Sequence, residues 1–188
     1  MSNKKSESVN PRQKLVDRGS KHVRVIGEQG SETNELRHQL YKLGFERIKT
    51  GLQEERYFEV VMLSDSIITD RLNAVVQFTR RDEETDFPHQ SVGSMLAILQ
   101  IQVKENLLEL GSDLISLIKK IDGEWVEKRN FVAHSFVLVT NKSKDKNVED
   151  RLNLVKECAV EGAVYSRQIT DMVDKFLRAQ HKKIAAEQ

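Results

Sequence analysis

The sequence predicts an all-α protein, an up-and-down bundle of four to five long helices, from three observations. Apolar residues recur at three- and four-residue steps over long stretches, which is typical of amphipathic helices. Only 2 prolines and 9 glycines occur in 188 residues, whereas a sandwich or barrel of many short strands needs more turn residues. The connections between the periodic stretches are of modest length, as expected when each helix buries one stripe against its neighbours.

Composition excludes several classes of protein and favours a cytoplasmic one. The chain is long enough to bury one core without metals or disulfides. Its single cysteine, Cys158, excludes an internal disulfide framework and a cysteine-based zinc site, and it fits a reducing compartment. No run of 18 apolar residues is present, so we predict neither a transmembrane span nor a membrane partner. The net charge of +1 argues against a protein that coats DNA, but it leaves room for a local basic site.

The chain divides into residues 1–31 and residues 32–188. The first segment is rich in lysine and arginine, has few apolar residues before Val23, and ends with Gly27 and Gly30. We predict a flexible basic tail, with a basic arm that contacts RNA or a partner as the alternative. Residues 32–188 are predicted to form the helical bundle.

Two helices are predicted between residues 32 and 79. The first begins near Thr33, with Thr33 or Ser31 as its N-cap, and Gly44 and Gly51 are expected to weaken or end it. Its apolar stripe consists of Leu36, Leu40, Leu43 and Ile48. The second helix, over residues 52–79, has a longer stripe. The charged stretch that follows contains an acidic cluster and a proline, which stop the helix.

Further helical stretches follow the charged segment. One is predicted over residues 91–110, and the next begins at Asp113 as its cap. Asp122-Gly123 is interpreted as a turn or kink, after which residues 125–139 resume a helical stripe whose end is ambiguous with a strand. The last and longest helix is predicted over residues 148–185.

The stretch that carries recognisable chemistry reads Lys128-Arg129-Asn130-Phe131-Val132-Ala133-His134-Ser135-Phe136. It contains an arginine, an asparagine directly after it, and a histidine five positions beyond the arginine. This string resembles the Arg-x4-His signature of the HEPN family (higher eukaryotes and prokaryotes nucleotide-binding domain). HEPN domains are bundles of four or five helices with the signature in a late helix. The resemblance covers roughly residues 33–180 in architecture, and Arg129 to Phe136 in specific residues.

The resemblance implies a metal-independent endoribonuclease of a toxin–antitoxin or phage-defence system, without cofactor, whose products carry a 2′,3′-cyclic phosphate. Histidine titrates near neutral pH, so His134 suits a general base or acid. Arginine offers a planar fork of donors to phosphate oxygens, so Arg129 is suited to stabilise the negative charge that develops on the phosphate in the transition state. Asn130 would position these groups by hydrogen bonds, and Lys128 adds local positive charge.

The spacing of the signature makes a second copy of the chain plausible. Residues five apart differ by roughly 140° around an α-helix. Arg129 must therefore reach around the helix with its long stem, or the two residues must meet those of another copy. The resemblance implies a homodimer in which two signatures face each other across a two-fold cleft. It also implies an RNA substrate and an antitoxin or regulatory protein as a partner.

Two polar residues of the second helix are candidate supports for the signature. Asp65 and Thr69 lie four apart, hence on one side of the helix. We expect one of them to orient Arg129 or His134, with a solvated helix face as the alternative; a carboxylate beside His134 would raise its pKa. Phe136 occupies the place where many toxin-type HEPN proteins carry a tyrosine, so any role of that hydroxyl, including its modification by a nucleotidyltransferase antitoxin, is in question.

A second function remains open at this point. Relatives of the mannitol operon repressor type use the same fold as regulators, so the chain is alternatively a non-catalytic helical dimerisation or regulatory protein. The two hypotheses differ in where the motif side chains lie. A nuclease needs Arg129 and His134 on a polar face open to solvent, whereas burial of His134 against apolar side chains favours the regulator.

Overall fold

The computed structural model describes residues 32–79, 92–104, 110–138 and 146–187, and over these ranges it contains helices and no strand. This confirms the predicted all-α bundle. The predicted tail, residues 1–31, and the charged stretch from residue 80 to 91 lie outside the described residues. The elements are α1 (Glu32–Gln53), α2 (Tyr57–Thr79), α3 (Val92–Lys104), α4 (Ser112–Lys120), π1 (Ile121–Trp125), α5 (Val126–Asn130), π2 (Phe131–Ser135) and α6 (Val148–Glu187).

Helices α2 and α6 form the centre of the bundle. They pack along each other, while α1, α3 and the continuous run from α4 to π2 surround them. Helices α6 and α2 and the π1 turn meet closely at Gly162 of α6, where a Cβ atom would lie 3.0 Å from the Cβ of Ser64 and 3.0 Å from Trp125 Nε1. A larger residue at this position would push its neighbours apart. None of the described helices combines the length and the apolarity that a membrane crossing requires.

The apolar stripe predicted for α1 is wrong for its three leucines. Leu36, Leu40 and Leu43 are 57%, 56% and 56% exposed and line an open groove of about 720 Å³ between α1 and α2. The buried side is formed instead by Tyr41, Phe45 and the correctly predicted Ile48. Two apolar stripes run along α1. The stripe with two aromatic rings faces the core, because large rings bury more apolar area per residue.

The predicted boundary between the first two helices is also wrong. Helix α1 continues through Gly44 and Gly51 to Gln53, and α2 begins at Tyr57. Gly51 serves packing here, because a Cβ at that position would lie 2.7 Å from Cγ2 of Val60. The chain turns just after Gln53, where Glu55 takes a positive φ of 57°.

The predicted turn or kink at Asp122-Gly123 is a π-helical turn inside a continuous helix. In π1 the backbone N–H of Val126 donates to the carbonyl of Ile121, five residues earlier. Trp125 is fully buried, and its Nε1 donates to the carbonyl oxygen of Cys158 on α6 at 3.0 Å. The described helical run ends at Ser135; residues 136–138 are turn and coil, and none of the three is a strand.

The predicted third and last helices are recovered with shifted ends. Helix α3 is described as far as Lys104, and the predicted continuation falls on residues 105–109, which lie outside the described part of the chain; Leu110 itself is not helical. Helix α6 begins at Val148, as predicted, and extends two residues beyond the predicted end at residue 185, to Glu187.

Candidate functional site

The motif residues lie on α5 and on the π-helical turn that follows it. Arg129 and Asn130 close α5, and His134 belongs to π2. A π-helical turn contains more residues than an α-helical turn. The π-helical turn over residues 131–135 therefore makes the angle between Arg129 and His134 smaller than the roughly 140° of a regular α-helix.

Arg129 is fixed by two acceptors. Its Nε donates to Oδ1 of Asp65 on α2 at 2.7 Å, and its Nη1 donates to Oδ1 of Asn130 at 2.7 Å. The side chains of Arg129 and Asp65 are 13% and 22% exposed, so this pair is largely shielded from water. Among the described residues, none accepts a hydrogen bond from Nη2 of Arg129. That edge of the guanidinium is the part of the fork that can bind an anion.

Lys128 contacts α6, whereas Arg129 contacts α2. Its Nζ donates to Oε1 of Glu161 on α6 at 2.6 Å. The hydrogen bond from Lys128 to Glu161 raises the pKa of the lysine, so it stays charged, and that charge is balanced by the carboxylate. Glu161 had no signal in the sequence that distinguished it from other charged residues of a long helix. Lys128 therefore clamps α5 to α6, and its positive charge is less available than the sequence suggested.

His134 lies on the exposed side of the motif run. Its side chain is exposed, as is that of Asn130. Asp65 contacts Arg129 and not His134, so the structure shows no carboxylate orienting the histidine among the described residues. Thr69 is half-buried one turn further along α2, and no hydrogen bond joins it to the described motif residues. Of the two predicted supports, the structure brings only Asp65 to the motif.

The buried side chain of Cys158 on α6 lies close to Lys128 and Arg129. The thiol is fully buried, and burial raises its pKa to about 12. A thiol with such a pKa is protonated at neutral pH and is a poor nucleophile. The described residues also contain no group of three or more His, Cys, Asp or Glu side chains placed to hold one metal ion. The groups at this site that can act on a ligand are thus the exposed histidine, the guanidinium edge and the amide of Asn130.

Comparison of the chain with protein-family models, with curated proteins and with solved structures finds no match.

Proposed function

We propose that the chain is a metal-independent endoribonuclease in which Arg129 and His134 act on the RNA phosphodiester. The observation that carries this proposal is an arginine fixed by Asp65 and Asn130 and, five residues further along the same helical run, a histidine that is open to solvent. The resemblance of residues 129–136 to the HEPN signature supports the same reaction. It also supplies the proposed setting, a cytoplasmic toxin or phage-defence system with an antitoxin or regulatory partner.

The proposed reaction is an attack of the ribose 2′-hydroxyl on the adjacent phosphorus. His134 accepts the proton of the 2′-hydroxyl as the new oxygen–phosphorus bond forms. The bond from phosphorus to the 5′-oxygen breaks, and that oxygen takes up a proton. The products are a 2′,3′-cyclic phosphate and a 5′-hydroxyl. The free edge of Arg129 meets the negative charge that develops on the phosphate oxygens, which is where a preorganised cation contributes most.

A homodimer would complete this chemistry. The departing 5′-oxygen needs an acid while the 2′-hydroxyl needs a base, and one chain provides one exposed histidine at the motif. A second copy related by a two-fold axis would bring a second His134 to the same cleft. One histidine would then act as base and the other as acid. Asn130 keeps its amide donors available for the phosphate, because its Oδ1 already accepts from Arg129.

One observation favours the alternative, a non-catalytic regulatory protein. Both motif cations are paired without any ligand, Arg129 with Asp65 and Lys128 with Glu161. Ion pairs of this kind also occur as purely structural links between helices. In that case the motif would hold α5 between α2 and α6, and the exposed face would contact a protein.

Cleavage of RNA in the presence of EDTA separates the two functions. We expect the wild type to cleave, and Arg129→Ala and His134→Ala to lose at least about 100-fold in rate, as loss of an acid–base group does. His38→Ala, at a half-buried histidine of α1, is the matched control and should keep full activity. Equal activity in all four proteins would contradict the assignment. A folded wild type that leaves RNA intact would favour the regulatory function.

A further inference from the structure

A cluster of aromatic rings lies at the end of the bundle that carries the motif. The rings of Phe58 on α2 and Phe136 after π2 meet edge to face, with centroids 4.9 Å apart and an interplanar angle of 88°. Tyr57, beside Phe58, has the Nζ of Lys156 at 5.8 Å from its ring centroid. Phe131 of π2 has the cationic groups of Lys146 and Arg151 within 5.4 and 5.7 Å of its ring centroid. The start of α2, the end of the motif run and the start of α6 therefore converge on one aromatic cluster.

Most members of this cluster serve packing. Tyr57, Phe131 and Phe136 are half-buried. Arg151 is buried, and its Nη1 donates to the carbonyl oxygens of Phe136 at 2.6 Å and Leu138 at 3.1 Å, which fixes the chain after π2. These groups hold the end of the motif run in place.

Phe58 and Met62 are different, because they are largely exposed. Phe58 is 44% exposed and Met62, one turn along α2, is 59% exposed. These two side chains lie outside the core, and their exposed apolar surface on one face of α2 is accessible to a ligand. The edge-to-face contact with Phe136 holds the Phe58 ring in a defined orientation, so the ring is prepared for a flat ligand.

The position of Phe58 and Met62 relative to Arg129 indicates which class of ligand they suit. Phe58, Met62 and Asp65 are spaced by four and three residues, so they lie on one face of α2. Asp65 holds Arg129, and Phe58 is about 10 Å away along the helix axis. Phe136 follows His134 by two residues. A phosphate bound at Arg129 therefore has this apolar surface beside it, at a distance that an adjacent nucleobase reaches.

The charges around the cluster fit the flanking backbone of the same ligand. Lys146 and Lys156 are exposed near the start of α6, with Lys146 Nζ 5.4 Å from the ring centroid of Phe131. Exposed rings with nearby cations bind single-stranded nucleic acid, because bases stack on the rings while lysines neutralise phosphates. A paired base is stacked within its helix and cannot reach such a surface.

We propose that Phe58, supported by Met62 and Phe136, is a stacking platform for an unpaired nucleobase next to the scissile phosphate. The substrate class is then RNA that is single-stranded at the cleavage site. This inference rests on the proposed nuclease function. An interface between protein copies is the competing use of the same surface, and the experiment below distinguishes the two.

The test is fluorescence anisotropy with a 5′-fluorescein single-stranded oligonucleotide whose 2′-deoxy sugars prevent cleavage. Stacking of one base is worth enough that Phe58→Ala should weaken binding roughly 5- to 100-fold. Leu43→Ala, an exposed leucine on α1, is the matched control and should bind like the wild type. The same sequence in a duplex should bind more weakly to the wild type. Phe58→Trp should keep the affinity, and its fluorescence should be quenched by the oligonucleotide, against the constant signal of buried Trp125.

The outcomes separate the platform from the nuclease. If the wild type cleaves RNA and Phe58→Ala binds as tightly as wild type, the platform is wrong and the nuclease stands. If the wild type neither binds nor cleaves RNA, the nuclease itself is wrong. A change of oligomeric state in Phe58→Ala, measured by light scattering, assigns the surface to contacts between copies and overturns the platform. Should Phe58→Ala fail to fold, an unquenched Phe58→Trp overturns it equally.

Discussion

In the proposed nuclease, Arg129 is held in position before the phosphate binds. A free arginine loses rotamer entropy when it binds a phosphate. Here Asp65 and Asn130 already hold two of its nitrogen atoms at 2.7 Å, so that loss is taken in folding rather than in binding. The cost is that the carboxylate offsets part of the positive charge. Asp65 is accordingly a positioning residue for Arg129.

Asp65→Asn should lower kcat for RNA cleavage by about 10- to 100-fold, because a displaced guanidinium no longer meets the transition-state charge. The KM should change far less. The neutral amide no longer offsets the positive charge of Arg129, so the attraction between Arg129 and the RNA phosphate is retained. Asp65→Glu, which keeps the carboxylate, should recover part of kcat. Steady-state kinetics on one RNA oligonucleotide measures all three, and a change in KM alone would contradict the positioning role.

The sequence identified the motif residues and, in Asp65, one of the two side chains that hold Arg129. Arg129, Asn130 and His134 stand out because the string they belong to resembles the Arg-x4-His signature. Helical spacing indicated Asp65 or Thr69 as a support, but which of the two reaches the motif depends on how α2 packs against α5. Glu161 was missed, since one glutamate among the many charged residues of α6 has no distinguishing neighbour in sequence.

At the scale of elements, the run from α4 to π2 departs most from sequence-based expectation. Helical periodicity assumes 3.6 residues per turn, and both π1 and π2 break that period. The sequence signal at Asp122-Gly123 was real but was interpreted as a turn. At the site, π2 makes the angle between Arg129 and His134 smaller than it would be on a regular α-helix.

Helix α1 offers a matched pair of glycines for testing the packing. Gly51→Ala should destabilise the protein by about 1 kcal/mol, because the new Cβ would lie 2.7 Å from Cγ2 of the fully buried Val60. Gly44→Ala should stabilise by about 0.5–1 kcal/mol through helix propensity, since its nearest neighbour, Ile67 Cδ1, is at 3.4 Å. Urea denaturation measures both. Changes of the same sign and size would contradict the described approach of α1 to α2.

At the scale of the whole molecule, a buried polar network joins the three helices around the core. Tyr41 of α1 donates to Oδ2 of Asp70 at 2.6 Å, and Arg71 Nη2 donates to the same oxygen at 2.7 Å. Arg71 also donates to Asp174 of α6 at 3.3 Å. Burial by itself would raise the pKa of Asp70, but Arg71, the tyrosine hydroxyl and Arg37 outweigh it and lower that pKa. The network stabilises the charged carboxylate in the folded state.

This network predicts acid sensitivity with a definite sign. Because the folded pKa of Asp70 is lowered, its stabilising contribution is present above the unfolded value of about 3.9 and is lost as the pH falls through the folded pKa. Asp70→Asn should cost about 1–2 kcal/mol at pH 7, a modest value because the side chain is 35% exposed. The cost should shrink as the pH falls below about 4.

Urea denaturation between pH 7 and pH 3 measures this difference. Asp122→Asn, at an exposed carboxylate of π1, is the control and should follow the wild type at every pH. A cost of Asp70→Asn that stayed constant with pH would show that the charge of Asp70 does not stabilise the fold.

The structure also shows where the positive charges of this nearly neutral molecule are exposed. A net charge of +1 averages over the whole chain, and sequence inspection located a local basic site at Lys128-Arg129. Both cations are in fact paired, and exposed lysines near the start of α6 lie beside the aromatic cluster instead. The fold class followed from periodicity, whereas this distribution of charge required the packing of α5 between α2 and α6.

The chemistry of the RNA ends made in EDTA tests the proposed nuclease most directly. Mass spectrometry of the fragments should show 2′,3′-cyclic phosphate and 5′-hydroxyl ends, formed by the wild type and absent with His134→Ala. Fragments with 3′-hydroxyl and 5′-phosphate ends, or cyclic phosphates formed equally by His134→Ala, would contradict the assignment of Arg129 and His134 to the reaction.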